Sequence, residues 1–165
     1  MDGFAYVALG SNLGRREHAI LYAARRLHEM GAGRVRRMSS LYESAAVGMG
    51  VAPPFVNAVL ELVPLLTPSD LLQRMQAVEL ELGRTGGHNQ SREIDLDLIA
   101  YSGQVVDTAF LTLPHPRYAE RTFVVIPLAE VEPGFHDPKS GRTIEEIAAG
   151  LAGREPVRRI SGRTR

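Results

Sequence analysis

The stretch Thr67–Tyr101 reads TPSDLLQRMQAVELELGRTGGHNQSREIDLDLIAY, and it decides the fold. Thr67 can cap a helix, Pro68 suits its first turn, and Asp70 stands where a capping-box acid would. Leu71, Met75, Val78 and Leu82 recur at helical spacing as a buried stripe, and Gly83 ends the helix. Thr85–Ser91 reads as a loop. Ile94–Tyr101 is a strand whose side chains alternate: Ile94, Leu96 and Leu98 point into a core, while Asp95 and Asp97 share the opposite face.

Outward from this helix–strand unit, Ala5–Leu9 reads as a buried strand that turns at Gly10-Ser11-Asn12. Ile20, Ala23, Ala24 and Leu27 mark a helix from Arg16 to Met30, stopped by Gly31. Arg34–Tyr42 is expected as a second strand, Ser44–Pro54 as a loop and Phe55–Val63 as a third strand. Gly103 predicts a hairpin into Val105-Val106, and Thr143–Leu151 a last amphipathic helix. The order β-α-β-β-α-β with additions predicts an α/β (α+β), ferredoxin-like sandwich, with helices on one face of a mostly antiparallel sheet. One domain over 1–165 is expected.

Composition narrows the classes. A 165-residue chain at 44% hydrophobic can build a core unaided, and without cysteine it has no disulfides, thiol nucleophiles or cysteine-based zinc sites. Nineteen basic and nineteen acidic residues balance, which gives no general field for nucleic acid or anionic membrane. No apolar run is long enough for a bilayer, so a soluble cytoplasmic protein is the expectation.

Chemistry concentrates in a few places. Two carboxylates on one strand face repel each other, and a bound cation relieves that; magnesium is commonly held by one or two carboxylates, with phosphates and waters completing its shell. For a lone Asp-x-Asp, a solvated strand face with the acids paired to arginines is the commoner case. Arg84 and Arg92 flank the 85–91 loop, where their guanidinium forks could grip phosphate under a lid or simply neutralise the acids. Gln76 and Glu79 share a polar helix face. Phe55 and Asn57 share a strand face, where a ring and an amide could match a flat heterocycle, although an ordinary strand with an asparagine near its edge is the simpler reading. Leu113-Pro114-His115-Pro116 with Arg121-Thr122-Phe123 offers an imidazole, a guanidinium and an aromatic ring in a proline-stiffened turn. Gly10-Ser11-Asn12-Leu13-Gly14 lacks the lysine of a P-loop.

Six ordered segments together resemble the 6-hydroxymethyl-7,8-dihydropterin pyrophosphokinase family, from Tyr6 to about Pro133. They are Ala8–Gly14, Ser39–Tyr42, Phe55–Ala58, Glu79–Arg84, Arg92–Leu98, and Leu113–Pro116 with Arg121–Val124. The resemblance implies pyrophosphate transfer from ATP to the hydroxymethyl group of a reduced pterin, releasing AMP, on the route to folate. It implies two magnesium ions on Asp95 and Asp97, with Arg84 and Arg92 on the ATP phosphates. Gln76, His115 and Arg121 would line the ATP side, and Leu98 with Thr112 would lie near the adenosine. Phe55 and Phe123 would sandwich the pterin, with Asn57 and the backbone of Ser44–Val47 on its polar edge. A monomer is expected, without nucleic acid or membrane.

The chain departs from the family where Asn89-Gln90-Ser91-Arg92 lacks the usual proline, where Ser44-Ala45-Ala46 replaces a frequent Thr-Pro-Pro, and where Phe55 replaces a common tyrosine. Rival readings are a nucleotide-sugar transferase using Asp-x-Asp, and a non-catalytic ferredoxin-like module binding a ligand or RNA. The basic segment Arg158–Arg165 prompts the RNA reading.

Overall fold

The computed structural model describes residues 3–46, 50, 52–83 and 93–160. The elements run β1 (Ala5–Ser11), α1 (Arg16–Glu29), β2 (Gly33–Met38), β3 (Tyr42–Ser44), β4 (Phe55–Pro64), α2 (Pro68–Glu81) and β5 (Asp95–Tyr101). A small hairpin β6 (Val106–Asp107) and β7 (Thr112–Leu113) follows, then α3 (Thr122–Val131), α4 (Ile144–Gly150) and β8 (Val157–Arg159). The main sheet has the order β5-β1-β4-β3-β8, with β2 also paired to β4, and every pairing is antiparallel. This is the expected ferredoxin-like core with extra strands and helices.

Alternation along the strands builds two cores. Ala5, Val7 and Leu9 of β1, Val56, Ala58, Leu60 and Leu62 of β4, and Leu96 and Leu98 of β5 pack against α1 and α2. Tyr6, Ala8, Val59 and Ile99 face the other way, onto α3, α4 and Phe135. Helices therefore cover both faces rather than one. The α3 sequence TFVVIPLAEV hides this layer from periodicity: it lacks a polar stripe and carries Pro127 inside the helix.

Two expectations need correction. Arg34–Tyr42 is not one strand. β2 ends at Met38 opposite Leu60 and β3 starts at Tyr42 opposite Asn57, so three residues face two. The break has a cause: Glu130 of α3 accepts hydrogen bonds from the Ser40 N–H (2.9 Å) and Ser40 hydroxyl, drawing Ser40 out of the ladder. The Gly103 turn does form, with Ser102 and Gly103 both at positive φ, yet Val106-Asp107 pairs with β7 and not back onto β5. The His115 N–H takes the β5 edge instead, at the Ile99 carbonyl (2.8 Å).

α2 begins as its sequence predicts, with Thr67 accepting from the Asp70 N–H and Pro68 in the first turn. α4 carries a full capping box between Thr143 and Glu146.

Candidate active site

Register decides what meets on the second sheet face. Gly10 of β1 lies opposite Asp95 of β5 on one side and opposite Asn57 of β4 on the other, and Asn57 lies opposite Tyr42 of β3. Neighbouring strands are about 4.8 Å apart, so the acids and Asn57 sit only about 10 Å from each other across β1. Asp97, one pleat along, is opposite Ala8.

Asp95 and Asp97 are half-buried. Asp97 faces the Arg121 guanidinium at 3.5 Å and His115 Nε2 at 3.9 Å. The imidazole contact is not an ion pair. Burial, helped by the charge of Arg121, pushes His115 down to about 4, so the ring is neutral at pH 7. Nδ1 accepts from the Arg117 N–H (3.1 Å), which leaves the ring proton on Nε2, toward Asp97. Among the described residues no cluster of three or more histidines or acids gathers for a metal. Two carboxylates on one face are an oxygen donor set that suits magnesium shared with phosphates, rather than a closed protein cage. β5 itself is locked to α2 by Glu79, which is buried and accepts the Leu96 N–H at 2.8 Å. Glu79 thus leaves the polar face expected for it and positions the acid strand.

Beside the acids, along the free edge of β5, runs a cleft of about 280 Å³. Leu98, Thr112 and His115 line it together with Asp97, Leu72 of α2 and Phe110 of the β6–β7 turn. The fold therefore brings three of the expected ATP-side residues into one cavity that Asp97 also lines. Arg121 lies beside Asp97, while Gln76 is exposed on α2, one turn beyond Leu72.

On the other side of β1, Asn57 is buried and its amide is oriented. Nδ2 donates to the Ser44 hydroxyl (2.7 Å) and the Tyr42 carbonyl (3.4 Å), which uses both of its hydrogens. Oδ1 remains as an acceptor on the Gly10 side, 3.4 Å from where a Cβ on Gly10 would stand. Phe55 is partly exposed beside it, its ring 3.5 Å from the same point. Phe123, also partly exposed, opens α3 with Arg121 5.9 Å over its ring. Ser44 is thus placed by a side-chain bond rather than by its backbone alone. Sequence reasoning read Gly10-Ser11-Asn12 as a turn, whereas β1 runs on through Ser11 and sets Gly10 between Asp95 and Asn57; it missed Glu130, which accepts from Ser40 and from the Tyr42 hydroxyl (2.8 Å). An acid inside an apolar helix was the available signal. Val47, Arg84, Arg92 and the 85–91 lid lie outside the described residues.

The sequence model of the 7,8-dihydro-6-hydroxymethylpterin-pyrophosphokinase family matches residues 6–133, and the chain belongs to that family. It is 41% identical over 132 residues to the 2-amino-4-hydroxy-6-hydroxymethyldihydropteridine pyrophosphokinase of Bacillus subtilis, covering 79% of each chain. The Pseudomonas aeruginosa enzyme of the same name is 37% identical over 95% of this chain and 96% of its own. Among solved structures, an HPPK-DHPS in complex with substrates superposes with a TM-score of 0.71 at 12% identity, covering 92% of this chain. This chain spans 44% of that longer one, and the likeness speaks for the fold. The protein is a pyrophosphokinase of folate synthesis. The family match does not favour the binding-module reading.

Proposed function

We propose that ATP and 6-hydroxymethyl-7,8-dihydropterin meet across β1, on the row that Gly10 shares with Asp95 and Asn57. That row is the observation that carries the reading. The nucleoside end of ATP lies in the cleft of Leu98, Thr112 and His115, with Gln76 at its rim, and the phosphates lie at its Asp97 end. Asp95 and Asp97 hold magnesium, two ions with ATP bound, which neutralises phosphate charge. Arg121, already 3.5 Å from Asp97, adds cationic charge there, and the guanidinium groups of Arg84 and Arg92, which lie outside the described residues, are the further phosphate partners in this reading. The pterin stacks between Phe55 and Phe123 and donates a ring N–H or amino hydrogen to Asn57 Oδ1. Backbone around Ser44–Val47 meets the rest of its polar edge.

The hydroxymethyl oxygen then bonds to the β-phosphorus. The bond from that phosphorus to the bridging α–β oxygen breaks, AMP departs with its electron pair, and the hydroxyl proton is lost. The protein's part is positioning and charge neutralisation. No helix among the described residues is long and apolar enough to cross a membrane. A cytoplasmic reaction on a monomer is part of this proposal.

Incubating the protein with ATP, magnesium and the hydroxymethyl dihydropterin should give AMP and the pterin diphosphate in equal amounts. Asp95→Ala or Asp97→Ala should nearly abolish this while circular dichroism stays unchanged. Either variant keeping most of its turnover would remove the metal assignment.

A further inference from the structure

We propose that Arg16, in the first turn of α1, is a positioning residue for the pterin: it ties together the two strand ends that carry Ser44 and Phe55. The role rests on reading the Phe55 and Asn57 side of β1 as the pterin side. A cation in the first turn of a helix faces the positive end of the helix dipole, so α1 gains nothing from Arg16 locally. Its contacts lie elsewhere. One nitrogen, Nη1, donates both to the Glu43 carboxylate of β3 (3.2 Å) and to the Pro54 carbonyl just before β4 (2.8 Å). Glu43 is the neighbour of Ser44 and Pro54 that of Phe55, and Ser44 lies opposite Phe55 in the β3–β4 ladder.

Pleating puts the tie behind the site. Glu43 lies opposite Val56, which packs in the core beneath α1, whereas Phe55 and Asn57 face the other way, toward Gly10. Arg16 therefore reaches the reverse side of the pair that meets the pterin, and acts on the ligand only through that pair. The lever is the peptide between Pro54 and Phe55. Its plane contains the Pro54 carbonyl and the Phe55 N–H, so a held carbonyl orients the backbone from which the Phe55 ring extends. Pro53 and Pro54 have no N–H to give to a ladder, and their carbonyls are the handles that remain. Both are taken: Asn12, buried where β1 leads into α1, donates Nδ2 to the Pro53 carbonyl (3.3 Å). Arg158 and Arg16 hold the Glu43 carboxyl below its ordinary range, so its bond to Arg16 is charge-assisted at neutral pH. Without the tie, part of the ordering of Ser44 and Phe55 would fall to the binding step and weaken it.

Calorimetry of the pterin, with a nonhydrolysable ATP analogue and magnesium present, tests this. Arg16→Ala should raise the pterin Kd about fivefold or more, while the Kd of the ATP analogue stays put. Turnover at saturating pterin should stay within about twofold of wild type, so that the loss falls on KM. Arg16→Met, which keeps the stem and drops the donors, should behave alike and stands in if alanine unsettles α1. Arg16→Lys should recover most of the affinity, since a single nitrogen serves both acceptors. Arg15→Ala removes the same charge from an exposed neighbour and should change neither Kd. In a Phe55→Ala background the Arg16→Ala loss should shrink, because the ring through which Arg16 acts is gone. A pterin Kd unmoved by Arg16→Ala and Arg16→Met, beside a weakened Phe55→Ala, would overturn the tie and leave the pterin side standing. So would a loss that Phe55→Ala does not diminish, or one that the ATP analogue shares equally. Phe55→Ala binding the pterin like wild type would overturn the reading of that side, and the tie with it.

Discussion

Asn57 shows how much one amide's orientation can decide. With Nδ2 spent on Ser44 and Tyr42, only Oδ1 is left to a ligand, so the site selects a donor. Asn57→Ala should therefore raise the pterin Kd about 5- to 150-fold, corresponding to roughly 1–3 kcal/mol, and leave the ATP Kd nearly unchanged. Equal losses for both ligands in calorimetry would place the pterin elsewhere. Gly10 offers a sharper test because affinity and stability should move apart. Its backbone is not in the left-handed region, and a Cβ would meet Asn57 Oδ1 and the Phe55 ring at ordinary contact distances. Gly10→Ala should fold at least as stably as wild type, since alanine has less chain entropy to lose. The new methyl would nevertheless cover the acceptor, and pterin affinity should fall. A melting temperature down by several degrees with pterin affinity intact would show that Gly10 serves packing alone.

At the scale of elements, the strand β3 is the weak member that the site depends on. It has three residues, and it is pinned by β4 on one side and β8 on the other, with Glu43 bridging Arg16 (3.2 Å) and Arg158 (3.0 Å). Much of this architecture was legible beforehand: the capped α2, the β1 and β5 runs and the same-face acids each carry a local signal in propensity or alternation. β8 was not. Val157-Arg158-Arg159 is too short and too charged to alternate, and it reads as a basic tail until β3 supplies its partner. α3 was hidden for the opposite reason, being apolar around its circumference. The site showed the same division. Asp95, Asp97, Phe55 and Asn57 stand on strands whose pleat the sequence reveals, whereas Glu130 and Phe110 owe their positions to tertiary packing and a turn. β8 lies beyond the family match at 6–133, so its support of β3 comes from outside the matched segment. Ending the chain after Pro156 should weaken pterin binding severalfold through Ser44 and Asn57, with ATP binding retained. A truncated protein that binds both ligands normally would make β8 dispensable to the site.

Across the whole molecule, carboxylates in unusual settings fasten the second layer, outward through Glu130 and internally through Asp137. Glu130 ties α3 to Ser40 and Tyr42. Asp137, just past α3, accepts from the Tyr118 hydroxyl and from the N–H groups of Lys139 (2.8 Å) and Ser140 (2.7 Å). Burial alone would raise both groups. Hydrogen bonds outweigh it, from Ser40 and Tyr42 onto Glu130 and from Tyr118, Ser140 and Lys139 onto Asp137, and hold both below the ordinary carboxylate range. The sign follows from proton uptake. At mildly acid pH the unfolded chain binds protons that the folded chain refuses, so the stabilisation is complete above the ordinary carboxylate pKa of about 4. It is lost as pH falls through the lower folded-state values. Urea titrations from pH 7 to pH 3 should show stability flat at first and then dropping below about pH 4.5. The variant Glu130→Gln with Asp137→Asn should be less stable at pH 7 and should lose less on acidification. Tyr42 and Tyr118 hydroxyls remain as reporters, since their hydrogen bonds to these acids break with the layer. A double variant whose pH slope matched wild type would mean that acid unfolding is governed by other carboxylates, and the fastening of the second layer would then have to be sought in its apolar contacts.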